Sequence, residues 1–299
     1  MAAFNGMRFL ESQLKSIVDQ APGDIRLLVS DDGSTDGTRV FLDGLADRWP
    51  KGPVAVIDGP RDGFAENYRH LILNSPEDGD LYAFSDQDDL WMPDKLSIAA
   101  DWFGRIDNTV PGLFCSRTQI VDEQNRVIGL SPLFDTAPSF KNAIVQSIAG
   151  GNTMVLNRAA RDLLVESCRR TGFVSHDWWS YLLVTGAGGK VCYWAEPQVR
   201  YRQHDGNLVG ANASWKARMA RLVLMAGGRF ARWNEVNLKG LLACRDLLTD
   251  EARAIVTEFE ALRRETMLVR MKRLARSGIH RQTTLGQLSL FAACAMNKL

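Results

Sequence analysis

Leu27-Leu28-Val29-Ser30 runs into Asp31-Asp32-Gly33-Ser34, and Tyr82-Ala83-Phe84-Ser85 runs into Asp86-Gln87-Asp88-Asp89. Each is a short β-type run that stops at an acidic turn, and a helical pattern follows each turn. Strand, turn and helix repeated along a chain predict an α/β fold, a mostly parallel sheet flanked by helices. In such a sheet the carboxyl ends of the strands share one edge, where ligands of open α/β sheets bind, so both acidic turns are expected to border one crevice.

The pattern extends in both directions. Leu10, Leu14, Ile17 and Val18 mark one face of a first helix. Strands are predicted at 25–29, 54–57, 81–84, 113–116, 153–156 and 191–194. Helices are predicted at 38–49, 64–73, from Pro93 onward, 158–170 and 177–185. Gly150-Gly151-Asn152 reads as a turn before a strand, or as a loop on the acceptor side. Beyond Gly210 the strand signals vanish and residues 214–299 read as helical. The expected organisation is therefore a domain of residues 1–210 and a helical extension of residues 211–299.

The 299 residues are 45% hydrophobic and 24% charged with a net charge of +1, as for a globular protein with its own core. That balance hides a split. Residues 1–210 hold 20 Lys and Arg against 28 Asp and Glu, while 211–299 hold 16 against 7. An acidic front repels nucleic acid and suits a cation. Five scattered cysteines without a C-x-x-C pair suggest neither a disulfide framework nor structural zinc, which points to a reducing, cytoplasmic compartment. No apolar run of about 18 residues and no secretory pattern is present.

Converging carboxylates repel and are driven to protonate unless a cation neutralises them. Mg²⁺ is typically held by one or two carboxylates together with substrate phosphates, which Asp86-x-Asp88 suits. The competing reading of each turn is structural, because Asp is a common turn former and helix cap. Asp32-x-Ser34-x-Asp36-Gly37 imitates a calcium loop, but a strand precedes it and Arg39 stands where an apolar residue is usual. Asp177 reads as a helix N-cap or as an acceptor-side carboxylate. The adjoining Trp178 and Trp179 read as core or as a flat face for a sugar. His204 is a surface histidine or a metal ligand, and the neighbouring run through Arg202 suits phosphate.

Taken in order, Ala3-Phe4-Asn5-Gly6, Ser30 to Asp36, Gly63 with Asn67, Asp86-Gln87-Asp88-Asp89-Leu90-Trp91-Met92-Pro93-Asp94-Lys95-Leu96, His176-Asp177-Trp178-Trp179 and Tyr201-Arg202-Gln203-His204 resemble the motifs of family 2 glycosyltransferases with the GT-A fold. The likeness covers about residues 1–210, and its wording is most similar to bacterial rhamnosyltransferases of surface-polysaccharide assembly. It implies a Rossmann-like sheet and a nucleotide-sugar donor, with dTDP-rhamnose favoured and a galactofuranosyl, glucosyl or N-acetylhexosaminyl donor as the alternative. By the same resemblance Asp32 would bind the nucleobase, with Phe4 and Asp31 beside it. Arg61 would steady base or phosphate, although its loop fits the family pattern loosely. Asp88, Asp86 and His204 would hold Mg²⁺ or Mn²⁺, and Asp177 would be the general base.

The chemistry is consistent with that set. Transfer from a nucleoside diphosphate needs charge stabilisation on the leaving group and a base for the acceptor hydroxyl. A one-step displacement would invert the anomeric carbon. The rival classes are a nucleotidyltransferase, against which no Gly-rich phosphate loop followed by Lys appears, and a glycan-binding protein without turnover. The expected acceptor is a glycan or lipid-linked sugar. Arg263, Arg264, Arg270, Lys272, Arg273, Arg276 and Arg281 lie among apolar residues, which suits peripheral contact with anionic lipid or an ordinary solvated helix face. In the family an apolar strand precedes the Ala-Phe-Asn-Gly position. Because little precedes it here, the sequence is expected to be part of a longer chain that has roughly five to ten more residues at its start.

Overall fold

A computed structural model describes residues 1–21, 23–204 and 229–299. Three strands, β1 (Ala2–Ala3), β2 (Leu27–Asp31) and β3 (Val54–Asp58), form a parallel sheet in that order. Ala3 pairs with Asp31 and Asp31 with Asp58, so the strands end level. Helix α1 (Met7–Val18) buries Leu10, Leu14 and Ile17, the predicted stripe. Its first amides are satisfied from the turn after β2: Gly6 N donates to Thr38 Oγ1 at 2.9 Å and Met7 N to Asp36 Oδ2 at 3.0 Å.

Helix α2 (Thr38–Asp43) is shorter than the predicted 38–49. Gly44 caps it and the chain continues in turns to Trp49, whose indole is buried and donates to Ile25 O at 2.9 Å. Anchoring that large ring under the sheet took precedence over helical propensity.

Helix α3 (Gly63–Leu73) leads to a second, six-stranded sheet of β4 (Leu81–Ala83), β5 (Leu90–Trp91), β6 (Gly112–Val121), β7 (Val127–Leu130), β8 (Val155–Asn157) and β9 (Lys190–Arg202). Only β6 with β9 is parallel here; the other pairs run antiparallel. Neither β5 nor β7 was anticipated. Antiparallel partners need only a tight turn, and β6 passes to β7 through one at Asp122 to Arg126, with Asn125 left-handed at φ 63°. The two sheets meet where Ala2 N donates to Ser85 O at 3.3 Å.

Helices α4 (Lys95–Phe103), α5 (Phe140–Ala143), α6 (Arg158–Arg170) and α7 (His176–Gly186) cover the second sheet. Among the described residues four more follow at Arg229–Ala243, Asp250–Arg263, Met267–Ser277 and Thr284–Ala295. The expected division at 210/211 lies outside the described residues. From Arg229 onward the helices share one continuous core with α6 and α7, joining Phe230, Leu241, Phe259, Leu262 and Leu290 to Trp179 and Leu183. Among the described residues no helix is long and apolar enough to cross a membrane.

Candidate active site

The end of β1 lies between the two acidic turns. On one side Ala3 O accepts from Asp32 N at 2.8 Å. On the other, the Gln87 carboxamide clasps Phe4, accepting from its N and donating to its O, both at 2.8 Å. Gly6 leaves room for this clasp, because a Cβ there would fall 2.1 Å from Gln87 Oε1 and push the carboxamide aside. The crevice expected from strand order therefore has a covalent floor of four residues, Ala3 to Gly6.

On the β2 side, Asp31 is buried and accepts from Ser34 Oγ at 2.5 Å. Asp32 Oδ1 accepts from Arg61 N at 2.6 Å. Arg61 is left-handed at φ 59°, and its exposed side chain passes over Gly33, itself at φ 93°. The Phe4 ring is 55% exposed, available as a stacking surface. Asp32 is thus held by the Arg61 backbone, the Phe4 ring is presented at the end of β1, and Asp31 is buried and shapes the turn.

On the β4 side the carboxylates divide by environment. Tyr68 Oη lies 2.5 Å from Asp86 Oδ1, and burial, with the nearby Asp88 charge, pushes the Asp86 carboxyl up to about 6. The Asp177 charge adds to that rise, so the two carboxylates share one field. Asp88 Oδ2 lies 2.9 Å from His204 Nε2. Asp89 is fully buried, accepts from Asn152 Nδ2 and from Arg202 N at 3.1 Å, and is pushed well above the usual carboxylate range by burial. Lys95, also fully buried, donates to Asn152 O at 2.6 Å and lies 3.6 Å over the Trp91 ring; burial pulls its ammonium well below the ordinary value.

Arg202 was expected at the donor. It is 3% exposed, and its guanidinium donates to the carbonyls of Asp88 at 2.9 Å and Glu123 at 3.0 Å while lying 4.5 Å over Phe9. This position makes it a brace for the acidic turn. Among the described residues no three His, Cys, Asp or Glu side chains are grouped to hold an ion. Asp88 with His204 is a two-residue set, and a hard divalent cation takes its remaining oxygens from a diphosphate and water, so these donors fit Mg²⁺ or Mn²⁺.

At the head of α7 the N-cap is Ser175, not Asp177, which lies in the first turn. Asp177 Oδ2 is 3.5 Å from Ser147 Oγ and Oδ1 is buried without a partner. Burial raises its pKa, against hydrogen bonds that lower it. Neither tryptophan offers a sugar-stacking face. Trp178 donates to Ala143 O at 2.7 Å and Trp179 to Ser167 Oγ at 3.0 Å, both buried. Gly151–Thr153 forms a 3₁₀ turn ahead of β8, as the Gly-Gly-Asn reading expected.

Most of the basic tail cluster is consumed within the protein. Arg263 pairs with Glu235, Arg264 with Glu260, and Arg273 with Glu258 and Glu265. Arg270 is buried on Cys294 O at 2.6 Å, and Arg281 lies 4.4 Å over Phe230. Lys272 and Arg276 are the exposed members outside these contacts.

Sequence reasoning assigned no role to Tyr68 and no separate one to Gln87 or Lys95, which it met only within the acidic-turn motif, and it read Asn152 only as part of a turn or acceptor-side loop. Nothing local announces that Lys95 is buried beneath a turn 57 residues away.

A parallel αβ unit joined to a mixed sheet, with a carboxylate–histidine pair at their junction, defines a GT-A glycosyltransferase. Residues 1–164, more than half of the chain, match the model of glycosyl transferase family 2, and the protein belongs to that family. It is 29% identical over 238 residues to the dTDP-rhamnosyl transferase RfbG of Shigella flexneri, covering 75% of this chain and 78% of that one. Among solved structures it is similar to S. aureus TarS 1–349 in complex with UDP-GlcNAc, with a TM-score of 0.54, 10% identity, and coverage of 99% of this chain and 89% of that one. It is also similar to the mannosyltransferase PcManGT of Pyrobaculum calidifontis in complex with GDP-Man and Mn²⁺, with a TM-score of 0.50, 18% identity, and coverage of 99% and 85%.

Proposed function

We propose that the protein is a metal-dependent, inverting rhamnosyltransferase that uses dTDP-rhamnose and a glycan or lipid-linked acceptor in cell-surface polysaccharide synthesis such as that of O-antigen. The observation that carries the reading is the meeting of Asp88 with His204 at the acidic turn whose Gln87 clasps Phe4, in a chain whose relative over three quarters of its length is a dTDP-rhamnosyl transferase. Family membership sets aside the nucleotidyltransferase reading.

In this reading Asp32 and Phe4 receive the base, Asp31 shapes their turn, and Arg61 reaches the base or diphosphate. Asp88 and His204 would hold Mg²⁺ or Mn²⁺, with Asp86 as the neighbouring carboxylate, and the group would supply charge stabilisation for the leaving diphosphate. Asp177 Oδ1, buried and without a partner, takes the proton of the acceptor hydroxyl as its oxygen bonds to the anomeric carbon. The bond to the diphosphate breaks in the same step on the opposite face. Arg202 acts indirectly, through the Asp88 carbonyl.

Thermal shift and hydrolysis with dTDP-rhamnose, UDP-galactofuranose and UDP-N-acetylglucosamine, with Mn²⁺ or with chelator, test this reading. Preference for dTDP-rhamnose in Mn²⁺ supports it, full activity in chelator overturns metal dependence, and preference for another sugar reassigns the donor. Contact with lipid at the inner face of the cytoplasmic membrane would rest on Lys272 and Arg276 with the exposed Leu268, Leu285 and Leu288. Unchanged sedimentation of a Lys272→Glu, Arg276→Glu variant with anionic vesicles would count against it.

A further inference from the structure

His176 is 6% exposed and neither ring nitrogen has a hydrogen-bond partner. Its ring is gripped on three sides. Tyr68 stacks on it with centroids 3.5 Å apart and planes at 20°, and Phe84 meets it edge-on at 4.7 Å. The third wall is the backbone of Gly151, where a Cβ would fall 1.8 Å from Nε2. Gly151 is not in the left-handed region, so its backbone does not call for glycine; the imbedded ring does.

Two of these walls, and the ring's own backbone, lead to different parts of the site. Tyr68 hydrogen-bonds Asp86. Gly151 precedes Asn152, whose side chain donates to Asp89 and whose carbonyl accepts from Lys95. His176 itself precedes Asp177. The ring is therefore the point where the acidic turn, the 3₁₀ turn and the head of α7 touch. Burial lowers its pKa to about 3, so it is neutral at physiological pH and contributes shape, not charge.

We propose that His176 is a positioning residue for transfer: wedged between Tyr68 and Gly151, it fixes Asp177 relative to the acidic turn. The proposal rests on the reading of Asp177 as base. A misplacement of about 1 Å in such a site lowers rate by roughly a hundredfold. Gly151→Ala, which forces the imidazole or the turn to move, is expected to reduce turnover by about that factor while binding of dTDP with Mn²⁺ is unchanged. His176→Ala loosens the same contact and is expected to cost at least tenfold.

The discriminating experiment is a double-mutant cycle on the full chain, using whichever of the three nucleotide sugars the parent hydrolyses, with melting temperature measured in parallel. In Gly151→Ala/His176→Ala the methyl enters space the imidazole vacates, so the double variant should turn over faster than Gly151→Ala alone. Effects on turnover that simply multiply, or coupling seen in melting temperature and not in turnover, overturn the proposal. Should Gly151→Ala fail to fold, His176→Ala decides: parental turnover overturns the proposal, and lost turnover with retained dTDP binding supports it. Asp177→Asn run alongside keeps the two readings apart, since parental turnover in that variant removes the base assignment whatever the cycle shows.

Discussion

His204 Nε2 lies 2.9 Å from Asp88 Oδ2, although 116 residues separate them. The contact exists because Arg202, two residues earlier, donates its own N–H to Asp89 and its guanidinium to the Asp88 carbonyl, tying the end of β9 to the acidic turn. Both side chains are mostly shielded, at 14% and 18% exposure, so a charge placed between them is weakly screened.

Asp88→Ala should abolish Mn²⁺-dependent donor binding, and His204→Ala should lower turnover by about a hundredfold, the scale of losing one group that stabilises developing charge. Calorimetric titration of Mn²⁺ in the presence of dTDP checks the first, and donor hydrolysis checks the second.

Asp177→Asn should retain dTDP binding and lose about 10²- to 10⁴-fold in turnover, the range for a general base. Because burial raises the Asp177 pKa, the acid limb of the parent's pH–rate profile should lie above the ordinary carboxylate range. A profile flat to pH 4 would contradict the assignment.

Without metal, Asp86 is held near 6 against an unfolded value of 3.8, so its contribution favours folding below 3.8 and is lost as pH rises through about 6. A divalent cation relieves the carboxylate repulsion above that point and must displace a proton below it. The rise in melting temperature on adding Mn²⁺ should therefore be larger at pH 7.5 than at pH 5.

Lys95→Met should destabilise the protein by about 1–3 kcal/mol, because it removes the buried donor to Asn152 O. Urea unfolding measures it. A change under about 0.5 kcal/mol, normal for a surface lysine, would refute the burial.

Much of the strand, turn and helix order of residues 1–204, though not the short β5 and β7, was legible because hydrophobic period and turn chemistry act over a few residues: Leu10, Leu14 and Ile17 face inward as their spacing requires, and α6 spans Arg158–Arg170 as read. The acidic turns were legible for the same local reason, whereas the local reading of Asp177 as a helix cap was displaced by Ser175. Which charges are buried was not legible. Arg202 reads as a phosphate ligand until β9 closes over Asp89, and His176 reads as a helix opening until Gly151 meets its ring. Those outcomes depend on pairings between segments tens of residues apart, where the cost of burying a polar group is offset by partners that only the folded chain brings within reach.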